Sequence, residues 1–433
     1  MPMQKLAFQP GINREGTRYS AEGGWFDCDK VRFRQGFPEK IGGWTNASTN
    51  TYLGTVRKLH DFVSLASLDL LFLGSEKKIY IEDSGTFSDI TPLRVTRTLG
   101  SDPITSADTT GTITVTDSAG HGAIVGDYVT FSGATAVGGI TADQINTEHV
   151  VVSIPTANTF TVLTAGTASS TATGGGSSVV AAYQINVGLN TSVLGPGWGA
   201  GTWGRFTWGS SAGSLAGNTL RLWFADNFGE DVICNIADGT IYYWDTSVGV
   251  GTRAVALTGL TGASDVPTVC RKILVSEADR HVMAFGANTL GSADQDPLLI
   301  RWSDQESVVD WTPTATNTAG DMRLSQGSEI ITAVRTRRET LVWTDHTLHS
   351  IQFIGPPYTF GTALLADNTK IAGPNTAMAI NDLVYWMGYQ NFYAYDGRVN
   401  VIPCSVRSYV FDDMNRQQSF KFHIASVSIH SEV

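Results

Sequence analysis

Five times along this 433-residue chain an apolar strand is followed by a short polar loop and a second strand rich in aromatic and β-branched residues. Leu70-Leu71-Phe72-Leu73 leads to Ile79-Tyr80-Ile81, and Leu222-Trp223-Phe224 to Ile241-Tyr242-Tyr243-Trp244-Asp245. His281 to Phe285 leads to Leu299-Ile300-Arg301-Trp302, and Leu341-Val342-Trp343 to Leu348-His349-Ser350-Ile351. Leu383 to Trp386 leads to Phe392-Tyr393-Ala394-Tyr395-Asp396-Gly397. From the second copy on, the spacing is roughly 40 to 60 residues, the range of a four-stranded propeller blade. A lone hairpin cannot bury its apolar face, whereas blades stacked around an axis can. The expected fold is therefore all-β, a β-propeller of four-stranded blades, with an irregular β-sandwich as the rival architecture. Short helices are expected only near Arg271 to Ala278 and after Asp412-Asp413, where an Asp would cap the first turn.

Composition agrees with short strands joined by tight turns. Charged residues make up 16%, against 46 Gly and 11 Trp, and 42% hydrophobic content is ample for a core. A net charge of -11 argues against a chain that grips nucleic acid through a basic surface, because that binding needs cations to displace condensed counterions. It leaves room for a protein past which DNA slides. Cys28, Cys234, Cys270 and Cys404 form no CxxC pair and read as reduced thiols, with neither a zinc site nor a disulfide framework implied. The opening MPMQKLAFQPGINREGT lacks the apolar core of a signal peptide, and no apolar run approaches the roughly 18 residues of a membrane span. The expectation is a soluble chain made without a visible export signal.

Between the first and second copies lie about 80 residues more than one blade needs. From Thr98 to Gly204 there is no Lys or Arg, yet Asp102, Asp108, Asp117, Asp127, Asp143 and Glu148 are present. Within this stretch, Gly111 to Thr116, Tyr128 to Phe131, Val150 to Val152 and Phe160 to Leu163 read as strands separated by Gly, Asp and Asn turns. Three regions result: 1–98, an N-terminal segment with the first blade or blades; 99–179, a small inserted β-domain, Ig-like or barrel; and 180–433, the remaining blades. A low-complexity linker from Ser170 to Ser178 closes the insertion.

The motifs that could carry chemistry lack the context the chemistry needs. Gly209-Ser210-Ser211-Ala212-Gly213 matches G-x-S-x-G by letter, but no helix pattern follows it to form a nucleophile elbow. His346 and His349 are three apart, a spacing that joins ligands on a helix but not on the strand expected here. The carboxylates from Asp226 to Asp231 and in Asp294-Gln295-Asp296 lack calcium-loop spacing and read as polar turns. Trp302-Ser303-Asp304 to Asp310-Trp311-Thr312-Pro313 approaches the turn box of sialidase-like propellers without its Gly between Asp and Trp. No catalytic, cofactor or metal site is predicted. The candidates for subunit or partner contact are Arg335, Arg337 and Arg338, the densest basic cluster, and Trp198 and Trp203 in a Gly/Trp loop. The arginines read either as a solvated turn or as a contact to an acidic partner subunit, and the tryptophans either dock a partner or fold back on their own blade.

Taken together, the run from Gly23-Gly24-Trp25-Phe26 through Val31-Arg32-Phe33-Arg34 to Trp44, the loop around Trp198 and Trp203, the Trp302 to Pro313 stretch and Ile354-Gly355-Pro356-Pro357-Tyr358-Thr359-Phe360-Gly361 resemble the tail nozzle proteins of short-tailed bacteriophages. These are packaged-DNA stabilisation proteins that plug or extend the tail. The resemblance implies a structural, non-enzymatic virion protein, assembled in the host cytoplasm and carried in the virion tail. It implies a homo-hexameric ring fixed to an adaptor ring, flanked by fibres or spikes, with double-stranded DNA passing through without sequence-specific binding. The competing class is a receptor- or carbohydrate-binding propeller of a phage tail. The final Val427 to Val433 begins as an alternating strand, expected either to close the ring of blades or to precede further ones.

Overall fold

The computed structural model describes residues 9–19, 23–43, 45–46, 48–192, 220–276, 279–355, 358–380 and 382–425. The fold is all-β, with five four-stranded antiparallel blades of a β-propeller, each made of strands consecutive in sequence. Every one of the five sequence repeats falls in its own blade. The chain divides into two compact units, 50–263 and 1–49 with 264–433.

The unit spanning 50–263 contains two blades. The first comprises Val56–Val63, Asp69–Ser75, Ile79–Asp83 and Thr86–Asp89, and the second Trp223–Phe228, Asp231–Ile236, Ile241–Trp244 and Val255–Ala256. Their first strands lie against one another, so the first strand is the inner one. Phe62, Phe72, Ile79 and Ile81 meet Trp223, Val232 and Trp244 in a shared core. Contact between the blades is tight: a Cβ on Gly74 would sit 2.8 Å from the Trp223 side chain, whose indole N–H donates to the Ser75 carbonyl at 2.8 Å. Glycine is needed there because a neighbouring blade's largest side chain occupies the space.

The same unit carries an eight-stranded sheet. Its order is Thr173–Gly174, Ile104–Ser106, Thr112–Thr116, Thr159–Leu163, Glu148–Thr156, Tyr128–Ser132, Val180–Gln184 and Leu93–Thr98. The four strands read from sequence in this region are all present. Alternation of inward Ile113, Val115, Val151, Phe160 and Val162 with outward residues supplies one buried face, completed by Phe131 and Tyr183. The sheet runs from residue 93 to 184, wider than 99–179. The stretch from Ser170 to Ser178 is not a free linker. Thr173 and Gly174 pair with Thr105 and Ile104, and the Gly176 N–H donates to Asp102 Oδ1 at 2.9 Å. Small residues here let backbone approach backbone: a Cβ on Gly133, whose φ is +73°, would lie 2.4 Å from the Ser178 carbonyl oxygen.

The unit formed by 1–49 and 264–433 opens with the hairpin Val31–Arg34 and Phe37–Lys40, in which Arg32 pairs with Glu39 at 3.1 Å. Its three blades begin with Lys272–Ser276, Ile330–Arg335 and Ala377–Ile380, again with inner strands adjacent. Phe285, Ile300 and Trp302 pack with Ile330, Val342 and Phe360 in one cluster. Leu341, Trp343, Val384 and Trp386 form another, in which the rings of Trp343 and Trp386 meet edge to face at 5.4 Å.

Both expected helices need correction. Lys272–Ser276 is a strand paired with His281–Phe285, because alternation of buried Ile273 and Val275 with half-buried Lys272, Leu274 and Ser276 fits a sheet face. Near the other position, a helix at Arg407–Phe411 precedes Asp412, and the turn after it is a 3-10 helix at Arg416–Lys421. Asn415 caps it, accepting from the Gln417 N–H at 3.1 Å.

Candidate interaction site

The arginine cluster occupies the turn between Ile330–Arg335 and Thr340–Thr344. Thr336 closes the turn, its N–H and hydroxyl both donating to the Glu339 carbonyl at 2.9 and 2.8 Å. The three arginines then part company. Arg335 is half-buried and donates to the Val275 carbonyl on the inner strand of the preceding blade. Arg337 and Arg338 are exposed and make no ion pair with any described residue. Glu339 is occupied, accepting from the Tyr395 hydroxyl at 2.8 Å and from Gln352 Nε2 at 3.2 Å. Burial, reinforced by the Glu339 carboxylate, pushes the Tyr395 phenol up to about 12.

A cleft of about 510 Å³ lies beside this turn, with Arg335, Arg337 and Arg338 facing Phe353 and Phe360. A second, of about 250 Å³, is lined by Arg338, Asp382 and Tyr395. The first is walled by a hairpin longer than its blade. Of Thr347–Gly355, only the segment up to Ile351 pairs with the preceding strand. The remainder pairs solely with the start of Thr359–Asp367. Phe353 and Phe360 pack beside the buried His281 ring, and Phe360 meets Trp302 edge to face at 5.2 Å. His281 Nε2 bonds Thr318 Oγ1 at 3.0 Å, and burial pushes its pKa below the ordinary value. Beyond this packed base the tip exposes Ile354 and Tyr358, the latter to 74%.

The Trp302 to Pro313 stretch is a closed polar turn. Asp304 accepts from the Thr318 N–H at 2.8 Å and its hydroxyl at 2.7 Å, and Asp310 accepts from Ser264 Oγ at 2.8 Å. Although burial raises the Asp304 pKa, these bonds outweigh it and hold the carboxyl below the usual range. Trp311 is buried with its indole N–H on the Val308 carbonyl at 2.8 Å, and the buried Arg301 guanidinium donates to the Asp265 carbonyl at 2.6 Å. The other carboxylate-rich segments are structural in the same way. Asp226, expected in a turn, is buried on a strand, while Asp231 accepts from the Tyr243 hydroxyl and the Thr246 N–H. Asp296 pairs with Arg323 at 2.6 Å. His346 sits in a turn against Asp345 at 3.1 Å while His349 points to Thr347 Oγ1 at 3.0 Å, so they do not converge. Among the described residues no cluster of three metal-ligating side chains occurs. None of Cys28, Cys234, Cys270 and Cys404 is in a disulfide.

Sequence reasoning missed one ionic cluster. Lys78, almost wholly buried, reaches Asp89 at 2.8 Å and Glu148 at 2.5 Å, and Arg253 approaches the same two carboxylates at 3.4 and 3.9 Å. It ties both blades of its unit to the eight-stranded sheet. The partners come from four separate strands and loops, so no local spacing announces them. Trp198, Trp203, Gly209 to Gly213 and Val427 to Val433 lie outside the described residues, as do Trp44, Pro356 and Pro357.

No family model matches the sequence, and no curated protein matches it. Solved structures do. A phage phi92 endosialidase shares 11% identity over 83% of this chain and 47% of its own length, at a TM-score of 0.21. PorZ, a surface component of the type-IX secretion system of Porphyromonas gingivalis, shares 7% over 88% of this chain and 46% of its own, at 0.30. The chain thus spans about half the length of either structure, and at these scores the likenesses carry no argument about function.

Proposed function

We propose that this chain is a structural protein of a phage virion tail, one of six copies in a ring-shaped nozzle that retains DNA and then lets it pass. Its sequence resemblance to the nozzle proteins of short-tailed phages motivates this identity. The observation that carries it is the use made of polar groups. Asp231, Asp304, Asp310, Glu339, Arg301 and Arg335 are hydrogen-bonded to their own or adjacent elements, so charge goes into stiffening blades. A stiff wall in a chain of net charge -11 suits passage, since tight phosphate contacts would hold the genome back. In this role the ring sits on an adaptor ring beside fibres or spikes, with a polar to acidic bore.

One observation favours a second role, a receptor- or carbohydrate-binding tail propeller: the cleft of about 510 Å³ sets arginines opposite aromatic rings. Electron microscopy of the full chain, alone and with the phage adaptor, separates the two. Sixfold rings with an open bore are expected. A chain that stays monomeric and binds acidic glycans on an array would instead support the second role, and a continuous basic lining along the bore would overturn the passive wall.

A further inference from the structure

Two exposed surfaces, one in each compact unit, have complementary chemistry. The first is the arginine turn and the hairpin tip beside it. Arg337 and Arg338 are exposed in the turn, Phe353 is 42% exposed at the hairpin base, and Ile354 and Tyr358 are 57% and 74% exposed at the tip, a mixture of aromatic anchors and arginine typical of binding surfaces. The base of the hairpin is fixed by Phe360 against His281 and Trp302.

The second surface is the outward face of the eight-stranded sheet. Along Glu148–Thr156, His149 and Val151 point into the core while Val150 and Val152 point out, 43% and 52% exposed. The pairing of Val151 with Val162 brings Leu163, 61% exposed, to the neighbouring strand position. Exposed carboxylates cap this end of the sheet. Asp108 lies in the turn joined to the Leu163 end through the Thr164 N–H to Gly111 carbonyl bond at 2.8 Å. Asp143 lies on Ala142–Ile145, which packs so close that a Cβ on Gly166 would fall 2.2 Å from Gln144 Oε1. The stretch from Thr98 to Gly204 holds no Lys or Arg, and Lys78 and Arg253, which reach the start of the Glu148–Thr156 strand, are already paired with Asp89 and Glu148.

We propose that the arginine turn and hairpin tip of one copy dock on the outward face of the eight-stranded sheet of a second copy, Arg337 and Arg338 meeting Asp108 and Asp143 while Ile354 and Tyr358 cover Val150, Val152 and Leu163. The occupant is another copy of this chain because the chain itself presents the matching apolar strip and the opposite charge. Two different patches meeting head to tail build a ring or an open filament, whereas a single self-complementary patch would stop at a dimer. The inference rests on the ring-forming role proposed above and assigns it residues.

The test is a charge swap in the full chain, read by analytical ultracentrifugation. Arg337→Glu with Arg338→Glu should weaken self-association by about tenfold or more, as should Asp108→Lys with Asp143→Lys, and the four changes together should restore it. All three variants must keep the wild-type circular dichroism, which these exposed positions permit. For a readout independent of charge, Tyr358→Ser should also weaken assembly. If the wild-type chain forms rings and the arginine variant associates equally well, or the fourfold variant fails to recover, the docking assignment is wrong while the conduit role stands. A wild-type chain that stays monomeric with and without adaptor overturns both.

Discussion

The blades and the eight-stranded sheet bury apolar surface in different ways. The blades rely on tryptophan: Trp223, Trp244, Trp302, Trp343 and Trp386 are all buried, and in the two clusters described for the unit holding 264–433 the core is shared between successive blades. The eight-stranded sheet contains no tryptophan and closes over its own Phe131, Phe160 and Tyr183. It fixes its loops with buried polar groups instead. Asp117 accepts from the Tyr183 hydroxyl at 3.0 Å, and Asp127 from the Ile124 and Val187 N–H groups, each at 2.8 Å. A blade therefore depends on its neighbour for part of its core, whereas the sheet holds its core within one contiguous stretch of chain. Cooperativity should differ accordingly, with blades melting together and the sheet keeping its own transition.

The sharpest way to break that contrast is Trp343→Ala, which removes a fully buried ring at the contact between two blades. A loss of about 3–5 kcal/mol is expected, with tryptophan fluorescence and far-ultraviolet signals from all three blades of that unit moving together in urea. Phe160→Ala should cost the sheet a similar or smaller amount, about 3–4 kcal/mol. Since the sheet has no tryptophan, hydrogen exchange across 93–184 should accelerate while the tryptophan-reported midpoint barely moves. A parallel shift of both would show that the sheet is not independent of the blades.

Lys78→Met tests the joint between them. It removes the closer of the two cations on Asp89 and Glu148 and leaves Arg253, and the two carboxylates are 23% and 31% exposed, so a loss of about 2–3 kcal/mol is expected, below that of a fully buried pair. Acid probes the same groups. Burial raises the Asp89 pKa, but Lys78, Thr91 and Arg253 together pull it lower, and Asp345 is held at about 2 mainly by Ser328 against the opposing effect of burial. Carboxylates with depressed folded values contribute stability that is complete above about pH 4 and is lost as pH falls toward 2. The buried His281 and His349, whose pKa values burial lowers, act earlier. The unfolded chain takes up protons as pH falls through about 6.5 while the folded blades do not, so stability declines from there. The melting temperature should fall in two steps, and a flat profile from pH 7 to 3 would contradict these assignments. The smallest effect belongs to Val152→Ser on the outward face, within about 0.5 kcal/mol by denaturation.

How much of this was legible beforehand depended on the range of the interaction. Strand alternation is local, so the five repeats and the four strands between Gly111 and Leu163 could be read directly. Lys272–Ser276 reads as helical from sequence because five residues with two buried positions fit either period until a partner strand is known. Ser170 to Ser178 reads as a linker from its composition, yet its small residues are what allow the backbone to close on Gly133 and Ile104. For the candidate site, the arginine cluster was visible in sequence, but not that Arg335 is spent on Val275 while Arg337 and Arg338 remain exposed.

The sequence alone determined the all-β class, the number of blade repeats and the scarcity of cations across the middle of the chain, because each follows from residue order and side-chain alternation. Only the tertiary structure decided which carboxylates are spent on backbone and which face water, that Lys78 joins two blades to a sheet, and that aromatic anchors stand beside two exposed arginines. Those outcomes depend on pairs of residues brought together from distant strands. Burial then sets their energies, and neither proximity nor burial is written in local spacing.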